Sequence, residues 1–303
     1  MKYNPLGKSK IKVSEIAFGC MSLGNDHHEN KELLHQAVDQ GINFFDTADL
    51  YGKGENEITV GKAFAGMREK VIIATKGGNQ LRAEGSGWDW NPSKKYILEA
   101  VEKSLARLQT DYIDLYQLHG GTIDDPINET IEAFELLKQQ GKIRAYGISS
   151  IRPNVISEYV NHSSIDSVMM QYSLLDRRPE ESCFDLLHEN KISVLVRGSL
   201  AQGLLINKPA ASYLSYAKEE VDKSVNFIHS LTNRSPQEIA IQFVLASEAV
   251  TSAVIGLRTR QQLGDVLKAA ENPPLQKEEL AYLQSVTKAN RYEQHRHSSA
   301  GSE

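Results

Sequence analysis

The sequence predicts an α/β protein, a closed (β/α)8 TIM barrel built as one domain over residues 1–303. Three observations lead there. Eight short, almost uninterrupted apolar runs alternate with longer amphipathic segments, which is the count of a closed barrel. The turn after the first run reads GCMSLGNDHH and lacks the GxGxxG spacing that an open, doubly wound nucleotide-binding sheet would normally carry. No Pro/Ser-rich linker marks a second domain.

Taken in order, Met1–Val13 suits a small hairpin closing the barrel floor, with its turn near Pro5–Gly7. The predicted strands are Glu15–Met21, Ile42–Asp46, Val71–Lys76, Tyr112–Leu118, Ile143–Ser149, Ser167–Tyr172, Ile192–Arg197 and Ser252–Gly256. Their apolar character on both faces is that of parallel strands sheathed by helices. Helical patterns cover Asn30–Gln40, Glu57–Ala65, Pro92–Leu108, Pro126–Gln140, Asn154–Asn161, Glu180–Glu189, Pro236–Ala246 and Thr259–Ala270. Asp125 before Pro126 and Ser235 before Pro236 place a capping residue ahead of a proline at the first helical position. Gly41 and Gly141 fall where two helices should stop. Asn207–Ser230 is an insertion after the seventh strand, and RAEGSGWDWNP is a long loop after the third. From Gln276 the chain gives one extra C-terminal helix and then a polar end, expected to be flexible over about residues 290–303.

Composition removes several classes of function. A formal net charge of −5 gives no basic surface for nucleic acid or an anionic membrane. Cys20 and Cys183 are far apart and in no metal or redox spacing, which points to a reducing compartment. The N-terminal MKYNPLGKSK has proline and charges where an export signal needs an apolar run, and no segment approaches the ~18–20 apolar residues that span a bilayer. The expectation is a cytoplasmic protein acting on a small molecule, monomeric or a small homo-oligomer.

In such a barrel, polar residues at the C-terminal strand ends face the active site. Asp46 ends the second strand, Lys76 the third and His119 the fourth, and Tyr51 lies five residues past Asp46 in DTADLYG. A phenol with its ordinary pKa near 10 can donate a proton at neutral pH. An ammonium packed against it favours the phenolate and is expected to lower that pKa. Lys76 suits this role, with Asp46 holding it charged, and His119 can hydrogen-bond a carbonyl oxygen near Tyr51. Taken singly, each has a plainer explanation: Asp46 as a turn cap, Lys76 as a surface lysine, His119 as a structural histidine, Tyr51 as loop packing. Their joint appearance at successive strand ends favours a site that polarises and protonates a carbonyl.

These residues also carry a resemblance. DTADLYG, VIIATKGG and LYQLHGG resemble the signature segments of the aldo-keto reductases, and ARLQTDYIDLYQLH, GKIRAYGISS and AQGLL continue the match in the right order. The likeness runs from about Tyr3 to Ala270. It implies a (β/α)8 barrel with NADPH across its C-terminal mouth, reducing an aldehyde or ketone by hydride transfer with no metal needed. Tyr51 would be the general acid, Lys76 and Asp46 would tune it, and His119 would orient the carbonyl.

The same resemblance assigns the cofactor side. Gly19, Cys20 and Met21 match the loop near the nicotinamide ribose, where Asp46 also reaches, and Ser149 matches the carboxamide contact. Ser150 stands where the family commonly has asparagine, and Met169 where it has glutamine; Gln171, on the same strand face, is the substitute. Arg197 replaces the aromatic ring that stacks on nicotinamide, as in a bacterial branch whose segments read like VRGSLAQGLL. Gly198, Ser199, Leu200, Gln202 and Gly203 would follow the pyrophosphate. In IGLRTRQQLGDV, Gly256, Arg258, Thr259, Gln262 and Asp265 match the segment gripping the adenosine 2′-phosphate, which favours NADP; Val266 replaces an asparagine that contacts adenine, and Arg260 is either a second phosphate ligand or a solvated charge. Met21, Tyr51 and His119 would line the substrate pocket, and Trp88 and Trp90 either wall it or pack their loop. Two other functions stay open: a Schiff-base aldolase with Lys76 as nucleophile, and a slow enzyme that mainly senses NADPH.

Overall fold

The computed structural model describes residues 1–231 and 234–296. The chain opens with the antiparallel strands β1 (Tyr3–Pro5) and β2 (Lys12–Ser14), paired from Tyr3 opposite Ser14 to Pro5 opposite Lys12. Eight parallel strands then close a barrel: β3 (Ile16–Gly19), β4 (Phe44–Asp46), β5 (Ile72–Gly77), β8 (Ile113–Leu118), β9 (Ile143–Ser149), β10 (Ser167–Gln171), β11 (Ser193–Arg197) and β12 (Val250–Gly256). Strand β12 returns to β3, with Gly256 opposite Gly19. Strands β6 (Asn79–Leu81) and β7 (Trp88–Trp90) form a separate antiparallel pair.

The helices are α1 (His27–Asp39), α2 (Glu55–Phe64), α3 (Lys94–Leu108), α4 (Ile127–Gln139), α5 (Pro153–His162), α6 (Cys183–Glu189), α7 (Lys218–His229), α8 (Pro236–Leu245), α9 (Arg260–Glu271) and α10 (Lys277–Val286). Ser235 caps α8 through the Glu238 N–H, and Gly41 and Gly141 take φ of 91° and 74° just beyond α1 and α4, the left-handed conformation that suits glycine there.

The barrel interior is one buried layer with a residue from each strand: Ala17, Phe44, Ala74, Leu115, Ala145, Met169, Leu195 and Val254. Leu6 and Val13 of the hairpin close it from below. Because side chains alternate faces along a strand, the residue two positions on from each of these points into the barrel mouth. That next layer is Gly19, Asp46, Lys76, Gln117, Gly147, Gln171, Arg197 and Gly256. It is polar or glycine throughout. The apolar layer excludes water below, and the chemistry sits directly on it.

Four local expectations change. Asp125 does not cap α4: the N-cap is Pro126, and the Asp125 carboxylate instead accepts from the Thr122 N–H at 2.7 Å and from Trp90 Nε1 at 2.9 Å. The loop after the third barrel strand is the β6–β7 hairpin, its register running Leu81 to Trp88 and Asn79 to Trp90. The segment 207–230 carries a full helix, α7, whose Ser224 donates to the Val286 carbonyl at the end of α10. The polar end is anchored through residue 296: Tyr292 is buried, and Asn290 accepts from the Arg177 N–H at 2.7 Å and donates to the Leu175 carbonyl at 3.1 Å. Residues 297–303 of the expected flexible end lie outside the described residues.

Candidate active site

Lys76 stands near the end of β5, whose IIATKG sequence alternates so that Ala74 and Lys76 face inward. It is only 1 % exposed, and its Nζ donates to Asp46 Oδ1 at 2.6 Å and to the Thr47 carbonyl at 2.7 Å. Burial is the strongest single influence and works to strip its proton, but Asp46 and Tyr51 together outweigh it and hold the ammonium above its ordinary pKa. Burial pushes Asp46 up, with Lys76 opposing, and Asp46 Oδ2 has no hydrogen-bond partner.

Tyr51 is delivered by the turn after β4. Its N–H donates to the Ala48 carbonyl at 3.2 Å, and Gly52, Lys53 and Gly54 continue with φ of 57°, 55° and 96°. This left-handed stretch turns the chain into α2, and glycine at two of its three positions makes it accessible. Lys76 Nζ lies 5.1 Å from the centre of the Tyr51 ring. The His119 ring stands edge-on to Tyr51, with centroids 5.9 Å apart and planes at 83°. The expected lowering of the Tyr51 pKa is reversed. Burial raises it and Lys76 only partly opposes, so the phenol keeps its proton at neutral pH.

His119 follows β8, and its N–H donates to the Gly77 carbonyl at 2.8 Å, tying it to the Lys76 strand end. Burial first, then the charges of Lys76 and Arg197, drive its pKa down to about 3. The imidazole is therefore neutral throughout the physiological range. Its Nδ1 is buried without a partner. Together the three groups present a charged lysine, a protonated phenol and a neutral imidazole at one point of the mouth.

The family profile of the aldo/keto reductases matches residues 15–288. The chain belongs to the aldo/keto reductase family. This aldo-keto reductase is 50 % identical over 306 aligned residues to the uncharacterised oxidoreductase YqkF of Bacillus subtilis, covering 98 % of this chain and 100 % of that one. Its structure superposes on the holo form of aldo-keto reductase AKR11C1 from Bacillus halodurans with a TM-score of 0.94 at 52 % identity, covering 97 % and 99 % of the two chains. It is also 35 % identical over 234 residues to the NADH-specific methylglyoxal reductase of Escherichia coli, covering 71 % of this chain and 72 % of the relative. It is an oxidoreductase of a family that uses nicotinamide cofactors on small carbonyl compounds. No helix among its described residues is long and apolar enough to cross a membrane.

Of the positions expected to serve a cofactor in this aldo-keto reductase, Gly19, Asp46, Gln171, Arg197 and Gly256 belong to the mouth layer. Met169 lies in the apolar layer and so is not a mouth residue, while Gln171, two residues on, is. Arg197 is exposed and has no acidic partner among the described residues. Its charge reaches Asp46, Tyr51 and His119. Gly198 and Gly203 take φ of 76° and 93°, and between them Ser199 Oγ is buried without a partner. Leu200 packs against the core, while Gln202 is exposed on its own left-handed turn. Ser149 ends β9, and the buried Ser150 accepts from the Arg152 N–H at 3.2 Å.

At the start of α9, Thr259 caps the helix through the Gln262 N–H, and Gln262 Oε1 accepts from the Arg258 N–H at 2.9 Å. Asp265 accepts from Gln261 at 2.8 Å. Arg258 has no acidic partner among the described residues, whereas Arg260 pairs with Glu32. Val266 is buried in the core, so it does not face the mouth at all.

Four side chains on the substrate and ribose side are placed as follows. Cys20 is fully buried with the helix-facing core, leaving only its backbone near the mouth. Trp90 packs its loop: added Cβ atoms on Gly78 and Gly120 would fall 2.8 Å and 3.3 Å from its ring. Trp88 and Met21 stand exposed at the rim, at 47 % and 66 %. Gln117 was not singled out from the sequence. It is fully buried in the mouth layer, two residues before His119, with both side-chain polar atoms unpartnered. A lone amide within the apolar YIDLYQL run was its signal.

Proposed function

We propose that the protein is an NADPH-dependent carbonyl reductase that converts an aldehyde or ketone to the alcohol, with Tyr51 as its general acid. The observation that carries the reading is the Tyr51 ring with Lys76 Nζ 5.1 Å from its centre and the His119 ring edge-on at 5.9 Å; burial favours a protonated phenol and a neutral imidazole there. When bound, the dinucleotide supplies the hydride. The protein's own part is placement and proton delivery. His119 donates a hydrogen bond to the substrate oxygen, Tyr51 releases its proton to that oxygen, and Lys76 stabilises the phenolate left behind. Asp46 keeps Lys76 charged and oriented. A Schiff-base role for Lys76 is disfavoured, since an ammonium held by Asp46 and the Thr47 carbonyl has no free electron pair.

A dinucleotide fits the chemistry of the mouth. Its donors are Ser199 Oγ, buried and unused, and the guanidinium groups of Arg197 and Arg258, both without acidic partners among the described residues. Gly19, Cys20 and Met21 would border the nicotinamide ribose, Ser149, Ser150 and Gln171 the carboxamide, and Gly198 to Gly203 the pyrophosphate. Arg258, with Thr259 at the start of α9, supports the 2′-phosphate of NADPH. Since the E. coli relative is by name NADH-specific, this pair and not family membership carries the cofactor preference. Met21 and Trp88 would wall the substrate side, with Trp90 holding the β6–β7 hairpin in place.

The test is Tyr51→Phe, with a panel of aldehydes and ketones and NADPH absorbance as the readout. Hydride transfer should fall by about 10²–10⁴-fold, while NADPH affinity stays near that of the wild type. Near-normal turnover would remove Tyr51 from the role of acid.

A further inference from the structure

Behind the Tyr51 turn, on the side away from the mouth, lies a buried charge cluster that the proposed mechanism leaves unused. Asp49, two residues before Tyr51, is 7 % exposed, and its Oδ1 has no hydrogen-bond partner. Its backbone N–H donates to the Lys76 carbonyl at 3.2 Å, and the Thr47 N–H donates to the Ala74 carbonyl at 2.8 Å. The segment leading into Tyr51 is thus stitched to β5 at two points, the second being the carbonyl of the proposed lysine itself.

Glu57 on α2 is fully buried, accepting from Thr75 Oγ1 at 2.5 Å and from Arg107 Nε at 2.6 Å. Arg107 comes from α3, and its stem lies against Gly54, where an added Cβ would stand 2.8 Å from Arg107 Cδ. The groups acting on Asp49 are therefore Glu57 from α2, Arg107 and Tyr96 from α3, Lys76 from β5 and Tyr116 from β8. Lys76 is already committed to Asp46 and the Thr47 carbonyl. That leaves two buried carboxyl groups for one cation, Arg107. Two like charges in one desolvated site cannot both be comfortable, so the pair favours holding a single proton.

We propose that Asp49 is a positioning residue, whose buried carboxyl, within electrostatic reach of the Glu57–Arg107 pair, keeps the Tyr51 turn docked on β5. The inference rests on the reading of Tyr51 as general acid. When Asp49 ionises, the cluster becomes net negative, and the group that can relieve it by moving toward solvent is the turn itself. Tyr51 then leaves its place against Lys76 and His119. Burial and the Glu57 charge bring the Asp49 carboxyl up to about 7, so this happens near neutrality. His119 and Tyr51 titrate far to either side and do not produce a limb there.

The experiment measures kcat and KM from pH 5.5 to 9, with thermal midpoints of the cofactor-free protein from pH 5 to 8, for wild type, Asp49→Asn and Glu57→Gln. Asn mimics the protonated acid. In the wild type, kcat should fall about tenfold per pH unit above the transition, with the KM for NADPH unchanged. Asp49→Asn should lose that limb. Glu57→Gln, which removes the carboxylate that raises Asp49, should move the limb to lower pH. A raised carboxyl contributes stability below its unfolded pKa and loses it as pH rises through the folded one. The wild-type midpoint should therefore drop by roughly 4–8 °C relative to Asp49→Asn between pH 5 and 8.

Coincident loss of both effects in Asp49→Asn supports the proposal. An unchanged kcat profile in either variant overturns it, even if the thermal effect disappears, because Asp49 would then titrate without placing Tyr51. Failure of the general-acid reading is seen separately, in Tyr51→Phe, and leaves the thermal comparison intact.

Discussion

Replacing Lys76 by methionine tests the ion pair at the centre of the site. The change keeps most of the side-chain volume but removes an ammonium that makes two short hydrogen bonds, to Asp46 and to the Thr47 carbonyl. Asp46 would remain 4 % exposed with neither oxygen bonded, since Oδ2 already has no partner. Breaking one side of a buried pair typically costs about 3–5 kcal/mol, mostly from the charge left behind. The cost depends on pH. Without Lys76, burial raises the Asp46 pKa with its main opponent gone, so stability is present at low pH and lost as pH rises above the ordinary carboxylate range. Urea denaturation of Lys76→Met should show the full loss at pH 8 and a clearly smaller one at pH 5. The double variant Asp46→Asn/Lys76→Met should recover much of the deficit at pH 8, because the orphaned charge is gone. The reasoning is refuted if Lys76→Met lies within about 1 kcal/mol of wild type at pH 8, or if the double variant is no more stable than the single. Carbonyl reduction should be lost in both.

Arg258→Ala should raise the KM for NADPH by about ten- to a hundredfold, the worth of one hydrogen-bonded charge contact, and leave NADH nearly unaffected; an equal loss for both would place the 2′-phosphate elsewhere. Trp90→Ala should cost about 2–3 kcal/mol in thermal or urea unfolding, because its half-buried ring covers Gly78 and Gly120 beside His119. It should also lower kcat/KM. Trp88→Ala, at an exposed rim position, should stay within about 0.5 kcal/mol of wild type. Similar losses for the two tryptophans would mean that the hairpin is not held by Trp90.

The sequence by itself determined the barrel and the inward-facing residues, because both follow from periodicity. Apolar runs such as VIIATK and YIDLYQL form strands wherever helices cover them, and a period of two fixes Ala74 with Lys76 and Leu115 with Gln117 on one face. That Gln171 shares a strand face with Met169, one layer nearer the mouth, followed from the same count. What only the tertiary structure decided were partners and electrostatic balance. Nothing local distinguishes Asp125 as a helix cap from Asp125 as an acceptor for Trp90, 35 residues away. The cluster of Asp49, Glu57, Thr75 and Arg107 joins four segments that no spacing rule connects. The direction of the Tyr51 pKa turned on the same point. Residue identity announced the attraction of Lys76, but the depth of burial that outweighs it belongs to the packed barrel.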